Sequence, residues 1–482
     1  MWESCGSRVG VDLSARYIRL RQKGTGALSL AEVEILGPES NAVEAISPAT
    51  VASKLLAVDS DSPNPLLDQL GYFAFSADTY PAGLDVTETS TGVDLFFERP
   101  IGLDALLGYA LELSPDLVTW TPIAIQTSPM ETIRLEGVDS MQPDLRQRGF
   151  ARIRVTVPAT GETTTTKAVG WYRTTCHQGF QTHGLSLNRA AFGTGRIISL
   201  NGTLQATVSN PMDLTNLGPA YMEIIDGAYE GHRIELQAIT NNEDTALLQG
   251  PATGSTLATL SNEIIGASII VRPHWTLQTA YPATDSTPNR DPASAAQILL
   301  FEDGRYRTFY SLAHPNRPYW TELGDDSLKS GDLEVIAPGH GIFLCQPDGE
   351  PHEVSIVGHV RDNLFQQRFA KGHHLVAQVY PIAQTPNQRF SNQSTGFQSA
   401  SDPGSSDSIQ LWQGDRSPAE EAFESYFCFS APGEQSQPFW VRNADNTLAS
   451  HNETALFQAD RAAFIEIKAD LPDYQHHLSL PN

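Results

Sequence analysis

The sequence predicts an all-β, multidomain protein: antiparallel β-sandwich and β-barrel modules, with an internal duplication in the C-terminal two thirds and one short helix near residues 63–76. Three observations predict it. Short runs of alternating or apolar residues recur along the chain, each closed by a glycine, proline or asparagine turn, which is the pattern of strands with one buried face. A set of apolar and aromatic motifs occurs twice between residues 168 and 482. The composition, 40% hydrophobic and 18% charged over 482 residues, is enough to fill several cores.

Residues 16–21 and 31–36 each alternate polar and apolar, and Lys23, Gly24, Thr25 and Gly26 supply a turn between them. This reads as a hairpin, and a two-stranded hairpin is marginal alone in water. Its apolar residues, Tyr17, Ile18, Leu20, Val33 and Ile35, are therefore expected to pair with another sheet, in this chain or in a neighbouring subunit. In residues 63–76, Ser62 or Asn64 can cap a helix, Pro65 suits its first turn, and Leu66, Leu67, Leu70 and Phe73 form one apolar stripe. Strand runs follow at 85–90, 92–98, 107–113 and 150–157, a spacing that suggests a small antiparallel sandwich. The polar tract 161–167 reads as a linker.

The duplication begins at Val169, Gly170, Trp171, Tyr172 and Arg173, which recur as Val357, Gly358, His359, Val360 and Arg361. His183 and Leu185 correspond to His373 and Leu375. The run from Gln297 to Gly304 resembles that from Ile409 to Asp415, and Pro318, Tyr319 and Trp320 return as Pro438, Phe439 and Trp440. Residues 339–344 match 461–466. The spacing differs between the copies, so the first carries an insertion, expected as a small β-barrel at about 191–276. The domains are thus 1–38, 39–160, the linker 161–167, a first repeat 168–356 and a second repeat 357–482; such repeats stack or pair their sheets.

The formal net charge of −25 argues against a nucleic-acid partner, whose phosphates the long-range field repels. No apolar run approaches the ~20 residues of a membrane-spanning helix. The first ten residues show no basic stretch followed by an apolar one, so no leader peptide is visible. Cys5, Cys176, Cys345 and Cys428 include no C-x-x-C pair, and their pairing stays open. Cys345 and Cys428, each in an apolar run, read as small buried residues.

Motifs of chemistry are sparse. His352 and Glu353 start like a zinc-protease helix, but Ile356 stands where the second histidine belongs. His373–His374 and His476–His477 offer one ligand per strand face, and no metal or cofactor is expected from them. Asp325 and Asp326 read as loop charges. Trp171, Trp275, Trp320 and Trp440 have two roles open to them: core packing, to which their recurrence in the repeats points, or stacking on sugar rings.

Three stretches resemble known families. Residues 15–20 with 28–35 look like the closing strands of a discoidin-type, galactose-binding-like sandwich, and residues 108–122 resemble an immunoglobulin- or fibronectin-like module. Residues 168–482 are similar to a family of uncharacterised secreted proteins of marine bacteria, on the marks Gly218 to Ile224 and Val271 to Leu277 and the repeated tryptophan elements. In relatives a calcium-type acidic loop often precedes the short helix. Here Asp59 and Asp61 stand where it would begin, and Pro63 replaces the third ligand.

These readings lead to one expectation: a non-enzymatic extracellular or cell-surface protein, structural or adhesive, self-associating through strand pairing into a filament, fibre or layer. The alternative is a carbohydrate-binding module of a secreted protein, with surface glycans as partners. A second alternative is an accessory protein of a hydrolase.

Overall fold

The computed structural model describes residues 84–89, 92–98, 107–124, 132–156, 158, 161, 163–201, 205–212, 218–242, 245–250, 261–302, 304–347, 351–389, 397–412, 423–430, 439–443 and 457–476. Within them the fold is all-β, built of antiparallel sheets, with one-turn helices at Leu277–Ala280 and Pro386–Arg389. The hairpin expected at 16–36, with Tyr17, Ile18, Leu20, Val33 and Ile35, and the helix expected at 63–76 lie outside the described residues.

Strands Asp85–Thr89, Gly92–Glu98 and Thr132–Leu135 form a three-stranded sheet. Val93, Leu95 and Phe97 alternate into the core, and Phe97 meets Tyr109 of a second sheet with ring centroids 6.2 Å apart. That second sheet has six strands, in the order His352–His359, Val169–Cys176, Arg148–Thr156, Gly108–Ser114 and Thr121–Ala124, with Thr163–Thr165 added against Arg148–Thr156. Here the structure departs from the expected division. The tract read as a linker contributes the strand Thr163–Thr165, paired with Arg154 to Thr156. The sheet also runs past residue 168, where a repeat was expected to start apart from a self-contained sandwich at 39–160. Strand His352–His359 crosses the expected junction at 356/357 unbroken. The physical reason is that strand pairing satisfies backbone donors whatever the chain distance between partners, so polarity along the chain does not mark a sheet's limit.

The two copies of the repeated motif, 169–173 and 357–361, pair with each other: Trp171 stands opposite Val357 and Val169 opposite His359. Beyond them, each copy builds a five-stranded sheet. The first runs Tyr319–Glu322, Arg305–Leu312, Gln297–Glu302, Gly341–Gln346, Gly179–Gly184; the second runs Phe439–Arg442, Phe423–Phe429, Ser408–Trp412, Ala462–Ile467, Gly372–Ala377. The order is the same strand for strand. An aromatic layer made of Phe343, Phe464, Phe301, Trp412 and Phe423 lies between them.

Between Gly184 and Trp275 the first copy carries seven strands, from Gly193–Asn201 to Ser268–Pro273, in one sheet. Its two outermost strands, Arg233–Leu236 and Ala238–Asn241, are separated in the chain by Gln237 alone, so the sheet curls back on itself. Ile197, Met222, Ile224, Ile234, Leu248, Val271 and their neighbours fill its interior. By the period of two, Tyr221, Glu223, Arg233 and Arg272 point outward.

That outward face is not solvated. Glu223 is fully buried and accepts from Arg361, itself 1% exposed, and from Asn363 Nδ2 at 3.2 Å. Arg361 also donates to Asn188 Oδ1 at 3.2 Å, and Arg272 Nε lies 3.9 Å from Glu223 Oε2. The Phe365 ring has Arg233 at 4.4 Å and Arg361 at 5.1 Å from its centroid. Removing one partner of a buried ion pair strands the other charge, at a cost of about 3–5 kcal/mol. Glu223→Gln is therefore expected to lower the urea midpoint strongly. Adding Arg361→Met should recover part of the loss, and independent, additive effects in that cycle would contradict the pairing.

Candidate functional site

The four tryptophans divide sharply. Trp171, Trp320 and Trp440 are 0%, 2% and 1% exposed. Trp171 lies across Gly149, where a Cβ would come within 2.4 Å of the ring, and donates to Leu145 O at 2.8 Å. Trp320 donates to Tyr281 O at 2.7 Å, and Trp440 sits in the core of the second copy. None of the three has a face open to a sugar. Trp275 is half-buried, its Nε1 tied to Leu187 O at 2.7 Å.

The structure also makes one juxtaposition that sequence spacing does not advertise. Cys176 Sγ and His183 Nε2 are 4.0 Å apart, on consecutive strands that belong to two different sheets. A nucleophilic pair requires a thiolate and access. Both side chains are buried: burial raises the Cys176 thiol to about 12 and lowers His183 to about 4. The pair is a neutral core contact. His352 and Glu353 stand on a strand, not a helix. His373 and His374 are cross-strand neighbours of Glu466 and Ile465, and the side chains of His476 and His477 lie outside the described residues. Among the described residues, no three His, Cys, Asp or Glu side chains gather as metal ligands. Asp325 accepts from the backbone N–H groups of Ser327 and Lys329 and so shapes its own turn.

A cleft of about 540 Å³ lies among the described residues. Three walls make it: strand Asp85–Thr89 with Phe96, the end of strand His352–His359, and the entry and exit of the inserted barrel at Arg189–Phe192 and Pro273–Trp275. Backbone bonds fix two of these together, His359 N to Asn188 O at 2.7 Å and Asn188 N to His359 O at 2.9 Å. Gly358 permits that approach, since a Cβ there would fall 2.3 Å from Asn188 O.

Trp275 forms the aromatic side of the cleft. The Arg189 guanidinium stands 5.9 Å from its ring centroid and donates to His274 O at 3.0 Å. Opposite, His359 Nε2 is 4.0 Å from Asp85 Oδ1. Burial, then the charges of Arg272 and Lys167, lower His359 to about 4, so it is neutral at pH 7. Partial burial raises the Asp85 carboxyl above its ordinary range. The arrangement combines an aromatic face, fork-shaped cationic donors and an isolated acceptor. Of its members only Trp275 was legible as a candidate. Arg189, Asp85 and His359 come from segments far apart in the chain and match no local motif.

No family model matches this chain, and no curated protein does. Among solved structures, an exotype rhamnogalacturonan lyase, YesX, is similar to it at 11% identity over 78% of this chain and 67% of that one, with a TM-score of 0.13. A likeness at that level carries no argument about fold or function.

Two consequences of burial are measurable. In native protein, iodoacetamide should leave Cys176 unmodified while half-buried Cys345 reacts slowly, as peptide mapping would show; rapid modification of Cys176 would contradict an inert core thiol. His183 and His359 take up protons near pH 6.5 when unfolded but near 4 when folded. The unfolded chain thus binds more protons between those values, and each histidine removes about 1.4 kcal/mol of stability per pH unit as pH falls through that window. Urea midpoints at pH 7, 6 and 5 should decline in step; a flat profile would mean that the histidines charge in place.

Proposed function

We propose that this chain is a non-catalytic adhesive protein of the cell exterior, a β scaffold that holds a carbohydrate in the cleft beside Trp275. The observation that carries the reading is the cleft itself: a half-buried indole next to hydrogen-bonding groups of both kinds. Sugar rings present C–H faces to an aromatic ring and hydroxyls to donors and acceptors at its rim. Trp275, Arg189, Asp85 and Thr87 offer that combination.

The chemistry of the lining favours binding over turnover. Glycoside hydrolysis uses two carboxyl groups flanking the bond, and Asp85 is the only carboxylate among the cleft residues. His359 is uncharged at neutral pH and beyond hydrogen-bond distance of Asp85. The self-associating form of the reading rests on the hairpin at 16–36, outside the described residues, so the cleft carries the proposal.

A glycan array with the full chain tests it. Binding to at least one glycan is expected, reduced roughly tenfold by Trp275→Ala, the loss of about 1.4 kcal/mol of stacking. Trp171→Phe serves as the core control and should leave binding intact in whatever fraction stays folded. Absence of binding to every glycan, or binding indifferent to Trp275, overturns the reading.

A further inference from the structure

Resting on that reading, we infer that the cleft selects an acidic sugar, one carrying a carboxylate or sulfate that the Arg189 guanidinium receives. The protein's formal charge is −25, yet the cleft lining sets one cation, Arg189, against one carboxylate, Asp85. Arg189 makes no ion pair among the described residues; burial lowers its pKa, and its one hydrogen bond goes to a backbone carbonyl. A half-buried guanidinium with most of its donors uncommitted is a costly thing to keep, because it forgoes water without gaining a carboxylate.

A second, independent observation points the same way. Arg272 lies directly behind the wall, one residue before the lining Pro273, and is 3% exposed. Its Nε has no hydrogen-bond partner; Glu223 Oε2 stands 3.9 Å away, while Arg361 and Asn363 both bond Oε1 of that carboxylate. Two buried guanidiniums thus share one buried carboxylate, and the Arg272 charge is felt at the cleft, where after burial it is the next cause that lowers His359. Lys167 adds to it, offset by its own pair with Asp362 at 3.0 Å. The opposing charges are Asp85, on the far rim with 69% of its side chain exposed, Asp362, which is paired with Lys167, and Glu235, which is bonded to His274 Nε2 at 2.7 Å.

This layout fits an acidic sugar better than a bare anion. The acid group meets Arg189, where the fork geometry allows two parallel N–H···O bonds. The ring face lies on Trp275, and hydroxyls on the other edge donate to Asp85. A free phosphate or sulfate would use the first feature alone and be repelled by Asp85. Arg272 touches no ligand in this scheme. It acts as a positioning charge through the wall.

The experiment is titration calorimetry of the full chain with three oligosaccharides of equal length: a neutral galactan, a galacturonan and a sulfated galactan. The two acidic probes are expected to bind at least about tenfold more tightly than the neutral one, weakening with added salt. Arg189→Gln should bring the acidic probes down to the level of the neutral one, erasing that preference, and Arg189→Lys should restore part of it. Preference for one acidic probe over the other identifies carboxylate or sulfate as the group received. Equal binding of all three, or an acidic preference that survives Arg189→Gln, overturns this inference and leaves the carbohydrate reading standing. Binding of none, with array binding also absent, overturns both. If Arg189→Gln lowers the unfolding midpoint, the Lys variant decides alone: an acidic preference fully indifferent to it, and to salt, rejects the inference.

Discussion

The buried pair of Glu223 and Arg361 is the interaction on which the arrangement of this molecule turns. A seven-stranded barrel inserted in a loop has no covalent reason to sit in one orientation, since both its tethers are single strands of chain. Its interior is apolar and self-sufficient. Its outward face carries Tyr221, Glu223, Arg233 and Arg272, which would be at home in water. Covering that face with Arg361, Asn363 and Phe365 takes the charges out of water, and such burial contributes little net stability. What it contributes is discrimination: any other docking of the barrel leaves Arg361 or Glu223 alone in a dry interface. The cleft inherits this, because Pro273, His274 and Trp275 follow directly on Arg272, and Asn188, which accepts from Arg361, is followed by Arg189.

The duplication explains where the large cores lie. Trp320 and Trp440 occupy the same strand in two sheets of identical order, and each fills the centre of its own copy. The copies then bury their remaining faces on one another. Gly184 and Gly341 let the sheets close in, as added Cβ atoms would lie 2.7 Å and 2.3 Å from the Cβ atoms of Ala377 and Ala462. The first copy alone would expose Phe343 to water, and the second alone Leu375 and Phe464, which is why such units come in pairs.

The strands were readable because a half-buried strand writes its own period into the chain, as in Val93, Leu95 and Phe97. The repeated tryptophans were readable as core for the same reason, since matched positions in a duplicated sheet face the same interior. The ion network was not. Glu223 and Arg272 alternate with apolar residues just as solvated charges do, and nothing local reports that a neighbouring domain covers them. The strand at Thr163–Thr165 was hidden in the same way, its threonines reading as a polar spacer although an open edge at Arg154 to Thr156 awaited it. The cleft is the extreme case: residues near 85, 189, 275 and 359 meet only after three sheets have formed.

The second copy shows what made the cleft. In both copies a short strand contact precedes a one-turn helix: Trp275 and Thr276 before Leu277–Ala280 in the first, Gln384 and Thr385 before Pro386–Arg389 in the second. In the second copy, residues 378–384 run straight from sheet to helix, and Val379 and Tyr380 pack on Phe365 inside the protein. In the first copy the same junction is split open by the barrel. Its two tethers lie side by side, Phe192 N bonded to Val271 O and Arg189 to His274 O, and the third sheet walls the space beside them. Trp275 occupies the position of Gln384, is held at one edge by Leu187 O, packs in part on the core and lines the cleft. A site of this origin needs no change in the scaffold's strand order, only a loop long enough to fold by itself and charged enough on one face to stay where it docked.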